Sequence, residues 1–216
     1  MTIFPRTLSI VTTHKCTAAC DHCCFNCSPT AHKNIPVAHI HTYIDQAIEV
    51  LSLRVVVFTG GECFLLGKDL DQLILRANNH GFVTRFVSNG YWAASLKIAR
   101  TRIRNLIDNG LKEANFSTGD MHAKYVKPAY VQNGAIASAE AGLTVVIMLE
   151  LFKNSIFDLN EFTRRSDFKH YIDNGKIIIK ASPWMPFLKI NKPNYSEKYL
   201  KIMNSFSSGC ESLFNA

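Results

Sequence analysis

Residues 54–62 read RVVVFTGGE. The apolar and β-branched run from Val55 to Thr59 carries no alternation. A strand of that kind is covered on both faces and belongs in the centre of a parallel sheet. Gly60 and Gly61 end the run and let the backbone turn sharply and approach a ligand closely. Glu62 then sets a carboxylate at the strand's C-terminal end. On either side the chain repeats this grammar. Upstream, residues 7–13 (TLSIVTT) read as a buried strand. Residues 37–51 carry a helical pattern through Ile40, Tyr43, Ile44, Ala47 and Ile48. Downstream come a helix over 69–79, a strand over 82–88 stopped by Asn89-Gly90, and a helix over 93–107 closed by Asn109-Gly110. A weaker strand over 112–117, a helix over 128–141, a strand over 143–149, a helix over 159–171 and a strand over 176–181 complete the series. Strands and helices in strict alternation imply an α/β fold with a parallel sheet and right-handed crossovers. Six such units suit a doubly wound sheet or an incomplete barrel. In both, chemistry gathers at the C-terminal ends of the strands.

Bulk properties narrow the class. The 216 residues are 47% apolar and 19% charged, enough for a core and too apolar for wholesale disorder. The longest apolar run, 143–149, is far short of the roughly 20 residues of a membrane span. No secretory signal pattern opens the chain, so a cytoplasmic, non-membrane location is expected. The formal charge of +7 reads as an ordinary basic surface. Lys97, Arg100, Arg102 and Arg104 would spread around a helix rather than form a stripe for a polyanion.

Cysteine is the informative residue type. Five of the seven fall between Cys16 and Cys27, in CTAACDHCCFNC. An odd count without an export signal argues against a disulfide framework. Cys16, Cys20 and Cys23 have C-x3-C-x2-C spacing directly after the first strand. Three thiolates from one compact loop can take three corners of a cube-shaped iron–sulfur cluster and leave the fourth iron open, whereas electron-transfer clusters mostly use four cysteines. The competing reading is zinc, with Cys20-x2-Cys23 or Cys24-x2-Cys27 as half a site. That would give a zinc-stabilised nucleic-acid-binding module.

These residues resemble the radical S-adenosylmethionine (radical SAM) superfamily, whose signature is C-x3-C-x2-C after the first strand. The resemblance implies a partial (βα)6 TIM-like barrel over residues 1–181, with a 4Fe-4S cluster on Cys16, Cys20 and Cys23 and S-adenosyl-L-methionine beside it. It places His22 near the adenine, Gly60, Gly61 and Glu62 at the methionine amino group, and Ser88 and Asn89 of Ser88-Asn89-Gly90 beside the cofactor. Ser117 is expected near the ribose or methionine. Gly119 stands where many members have Asp, and Asp120 follows one residue late. CDHCCFNCSPT, FTGGECFL and VSNGYW look most like the radical SAM peptide epimerases of ribosomal-peptide (RiPP) maturation, which invert α-carbons in a precursor peptide. That likeness implies a thiol hydrogen donor, for which Cys63 and Cys210 are candidates, and an electron donor such as flavodoxin or ferredoxin. Other radical SAM reactions, peptide crosslinking or RNA modification, are the alternatives within the superfamily. Residues 182–216 read as a C-terminal tail in which Cys210 could begin a truncated auxiliary-cluster region.

Overall fold

The computed structural model describes residues 4–21, 23–150 and 155–182. Its elements run β1 (Thr7–Val11), α1 (Val37–Gln46), β2 (Val55–Thr59), α2 (Lys68–Asn79), β3 (Val83–Ser88), α3 (Leu96–Asp108), β4 (Glu113–Gly119), α4 (Asp120–Ala123), α5 (Pro128–Glu140), β5 (Thr144–Glu150), α6 (Leu159–Thr163), α7 (Ser166–Asp173) and β6 (Ile177–Ser182). Residues 183–216, with Cys210 and the expected tail, lie outside the described residues, as does His22.

All six strands are parallel, and the sheet runs β1-β2-β3-β4-β5-β6. This order settles the alternative left open by the alternation. A doubly wound sheet reverses direction at a switch point. Here every strand is added on the same side of the last, so right-handed crossovers put every helix on one face. The result is the partial TIM-like barrel.

The core lies between that face and the helices. Phe58, Phe86 and Phe116 come from adjacent strands and are fully buried. The Phe86 and Phe116 rings meet edge-on at 5.4 Å, and Phe64, just past the β2 turn, stacks on Trp92 at 4.4 Å. Each such pair adds about 0.5–1.5 kcal/mol beyond its buried area. Because Phe64 and Trp92 follow the turns after β2 and β3, this aromatic wall fixes those turns from behind. α3 shows why the helices form where they do. Ser95 Oγ accepts the Ile98 N–H at 3.3 Å as an N-cap, and Ala99, Ile103 and Leu106 bury one stripe. Its basic residues are partly paired within the fold, Arg100 with Glu140 and Arg102 with Asp71.

Two expected helices differ. The pattern over 37–51 is α-helical only to Gln46 and tightens into a 3-10 turn over Ala47–Glu49. The pattern over 159–171 is two helices separated at Arg164 and Arg165. Arg165 adopts φ −57° and ψ 119°, donates to Asn133 Oδ1 at 2.7 Å and pairs with Asp167. On one continuous helix, positions six apart face about 120° away from each other. The break lets both Phe162 and Phe168 enter the core, where their rings pack 5.2 Å apart.

Candidate functional site

The cysteine loop leaves β1 and is sewn to the β2 turn by backbone hydrogen bonds. Thr12 N–H donates to Thr59 O at 2.9 Å, Gly61 N–H to Thr13 O at 2.6 Å and Glu62 N–H to Lys15 O at 3.0 Å. A Cβ on Gly61 would stand 2.2 Å from Lys15 O, and one on Gly60, at φ +134°, 2.5 Å from Thr13 O. Only glycine lets the two segments lie this close. The loop then closes on itself through Cys16 N–H to Ser28 O at 3.0 Å. Cys16, Ala18 and Cys27 form a small buried cluster with Cys20 and Cys23 packed against it.

Cys16, Cys20 and Cys23 share the wall of one cavity with Gly60, Gly61, Ser88, Asn89, Ser117 and His122. The donor set suits a cluster that takes one thiolate at each of three corners. Burial, foremost, raises the Cys16 thiol above its ordinary value and lifts Cys20 to about 12, with the nearby Glu150 charge next in weight. Neutral thiols are therefore the resting form of these residues on their own, and a bound iron centre would be what draws the protons off. N–H groups already point at two of the sulfurs: Ala18 N–H at 3.4 Å and the Asn89 side-chain amide at 3.6 Å to Cys16, and Cys27 N–H at 3.4 Å to Cys23. Cys27 itself is buried, and burial lifts its thiol to about 12. It lines the same cavity, and its N–H ties the loop to the Cys23 sulfur.

Glu62 departs from the sequence expectation. The two glycines line the cavity, but the carboxylate is turned behind it and fully buried. It accepts Phe64 N–H at 3.1 Å, Asn89 N–H at 2.9 Å and the Ser88 hydroxyl at 3.0 Å. Burial outweighs these donors and raises its pKa to about 7. Glu62 thus clamps the β2 end to the β3 end. Ser88 Oγ also accepts Gly90 N–H and Trp92 Nε1–H, both at 3.0 Å. Ser88 and Asn89 stand on the cavity wall by virtue of this clamp.

At the β4 end, Ser117 reaches the wall and Asp120 does not. Asp120 accepts Ile156 N–H at 3.0 Å, Phe157 N–H at 2.8 Å and the Ser155 hydroxyl, and so holds the loop that leads to α6. The carboxylate near the cavity comes instead from Glu150, paired in register with Gly119. Glu150 is 3% exposed. Its Oε1 accepts the N–H groups of Met121 at 2.6 Å and His122 at 3.0 Å, and lies 3.2 Å from His122 Nδ1. A Cβ at Gly119, where φ is +137°, would stand 2.1 Å from Glu150 Cγ. Glycine at 119 and glutamate at 150 are two halves of one arrangement. Sequence reading missed Glu150. The available signal was a lone carboxylate closing the otherwise apolar run TVVIMLE.

Cys63 is not at the cavity. It is 0% exposed in the main core, its Sγ donates to Val87 O at 3.4 Å, and burial lifts its thiol well above the ordinary value. Such a thiol is a packing group, inert toward a cavity ligand. Cys63, like Glu62 before it, turns into the protein after the glycines rather than toward the cavity.

An unbroken six-stranded parallel barrel sector, with three loop cysteines and a glycine turn at its strand ends, is the arrangement that the resemblance to the radical SAM superfamily implies. Among curated proteins the chain is similar to "Putative peptide biosynthesis protein YydG" of Bacillus subtilis (strain 168), 29% identical over 131 residues, which are 61% of this chain and 41% of that protein. Among solved structures it superposes on "Native anSMEcpe with bound AdoMet and Kp18Cys peptide" with a TM-score of 0.63 and 16% identity, covering 98% of this chain and 62% of that one. It also superposes on "Structure of TYW1 with a lysine-pyruvate adduct bound" with a TM-score of 0.55 and 18% identity, covering 94% of this chain and 74% of that one. At these identities the structural likeness speaks for the fold. The chain spans less than half the length of YydG. No protein-family model matches it.

Proposed function

We propose that this chain binds a 4Fe-4S cluster through Cys16, Cys20 and Cys23, holds S-adenosyl-L-methionine in the adjoining cavity, and modifies a precursor peptide, most specifically by epimerisation. When bound, the pair supplies a 5′-deoxyadenosyl radical able to remove a hydrogen from an unactivated carbon. The protein's part is placement. The loop presents the Cys16, Cys20 and Cys23 thiols to one cavity, which Cys24 and Cys27 also line, the Gly60-Gly61 backbone allows a ligand to lie against the turn, and the Glu62 clamp fixes Ser88 and Asn89 at the wall. His122, held against Glu150, and Ser117 supply polar groups across from the cysteines. The observation that carries this reading is the gathering of the three C-x3-C-x2-C thiols with the β2 and β3 turns around one cavity.

The peptide substrate is supported by the names of YydG and of the peptide-bound anSMEcpe structure. Epimerisation rests on the likeness of the cysteine loop to the peptide epimerases. In that reaction the α-carbon radical takes a hydrogen atom from a thiol on the opposite face, and the thiyl radical left behind regains one electron and one proton. With Cys63 sealed in the core, this reading gives the thiol role to Cys210. The reading also expects a reducing, cytoplasmic setting and a low-potential electron donor such as flavodoxin or ferredoxin. Among the described residues no helix is long and apolar enough to cross a membrane.

Anaerobic incubation with S-adenosyl-L-methionine, dithionite and a precursor peptide in heavy water tests the proposal. Epimerisation adds one mass unit per site, and crosslinking removes two hydrogens. Release of 5′-deoxyadenosine with unchanged peptide mass in heavy water would contradict the epimerase reading.

A further inference from the structure

We infer that Asn89 acts on the cluster: its side-chain amide donates to the Cys16 sulfur and raises the electron affinity of the iron–sulfur centre. The inference rests on the cluster reading above and assigns Asn89 a role beyond neighbouring the nucleoside cofactor.

The amide has one admissible orientation. Asn89 Oδ1 accepts the Tyr91 N–H at 3.1 Å, so a swapped amide would set its NH2 against that N–H. Nδ2 is therefore the end that faces Thr17 Oγ1 at 3.0 Å and Cys16 Sγ at 3.6 Å. The group is also held in advance. Asn89 is 5% exposed, and its backbone N–H is tied to Glu62, which Phe64 and Ser88 anchor in turn. No reorganisation is needed to present the donor. Cys16 thus receives two donors, from Ala18 and Asn89, where Cys23 receives the Cys27 N–H.

A hydrogen bond to a cluster thiolate stabilises negative charge, and it stabilises the reduced state more because that state carries one further electron. Burial strengthens the effect, since the field of the amide is poorly screened there. Asn89 therefore eases entry of the electron that the donor protein delivers. No bond is made or broken in this step; one electron moves from the reductant to the cluster. Without the amide the reduced state is less favoured and the midpoint potential falls.

The test is an EPR-monitored redox titration of the anaerobically reconstituted full chain against Asn89→Ala and Asn89→Asp, with iron and sulfide counted in each. Both variants are expected to titrate at more negative potential than the parent, Asn89→Asp lowest because it sets a carboxylate against the sulfur. Unchanged midpoints at equal iron content overturn the inference. Should the variants fail to assemble a cluster, the parent itself decides. With the asparagine side-chain amides labelled with nitrogen-15, pulsed EPR of its reduced cluster is expected to show coupling to that nitrogen, and no coupling overturns the inference. A parent that assembles no cluster defeats the cluster reading as well, whereas a parent that loads iron but shows no amide effect defeats this inference alone.

Discussion

Glu62, after β2, and Glu150, at the end of β5, are both buried carboxylates on the same edge of the sheet, yet they are built into the site in opposite ways. Glu62 belongs to a local motif, and its oxygens accept donors from its own turn and the next one, behind the cavity wall. Glu150 reaches across a strand pair. It fills the space that glycine leaves at 119, receives the first N–H groups of α4 and stands against His122, which lines the cavity. A carboxylate recognised by motif therefore serves as a clamp, and one without a motif shapes the ligand-facing wall. Position on the sheet, rather than membership of a motif, sets what each does.

The comparison breaks most readily at Gly119. A side chain there meets both the Glu150 side chain and its backbone oxygen, the latter 2.5 Å from a built Cβ. Gly119→Asp, which restores the residue expected from the superfamily, also adds a second buried negative charge. We expect a loss of about 3 kcal/mol or more, read from the urea midpoint. The double variant Gly119→Asp with Glu150→Ala should recover part of the loss. A single variant as stable as the parent would mean that the two positions are not coupled.

The clamp predicts a pH dependence. Glu62 titrates near 7 in the fold against an ordinary 4.5. Between those values the folded chain keeps a proton that the unfolded chain has released. The contribution is therefore full below about pH 4.5 and is lost as pH rises through 7, by on the order of 3 kcal/mol. Urea denaturation of the metal-free chain from pH 5 to pH 8 should show this decline, and Glu62→Gln should flatten it. An equally steep decline in the variant would assign the proton elsewhere.

A smaller effect separates Asp120 from the cofactor. Its bonds to residues 155–157 hold a loop, so Asp120→Ala should cost about 1–2 kcal/mol and leave affinity for S-adenosyl-L-methionine unchanged in equilibrium dialysis. A tenfold loss of affinity at unchanged stability would return Asp120 to the cofactor site.

Much of the barrel was legible because each strand is a short β-branched run punctuated by glycine or asparagine, and the helices carry apolar stripes. The choice between a barrel sector and a doubly wound sheet was not, since strand adjacency is a long-range property that alternation does not contain. The break at Arg165 was hidden because the apolar spacing from Leu159 to Tyr171 satisfies one helix as well as two. At the site, the cysteine spacing and the glycine turn named the residues that meet at the cavity. Side-chain direction was beyond a motif: Glu62 and Cys63 follow the glycines in sequence, and both turn into the protein. Glu150 needed the β4–β5 register to be found at all.

The central claim is that three loop thiolates hold a cluster with one iron left for the sulfonium cofactor. The most direct measurement is iron, sulfide and 5′-deoxyadenosine in the anaerobically reconstituted parent and in a chain carrying Cys16→Ala, Cys20→Ala and Cys23→Ala. The parent should hold about four irons and four sulfides and release 5′-deoxyadenosine under dithionite, and the triple variant should do neither. A triple variant that keeps both the iron and the product, or a colourless parent binding stoichiometric zinc, would contradict the account.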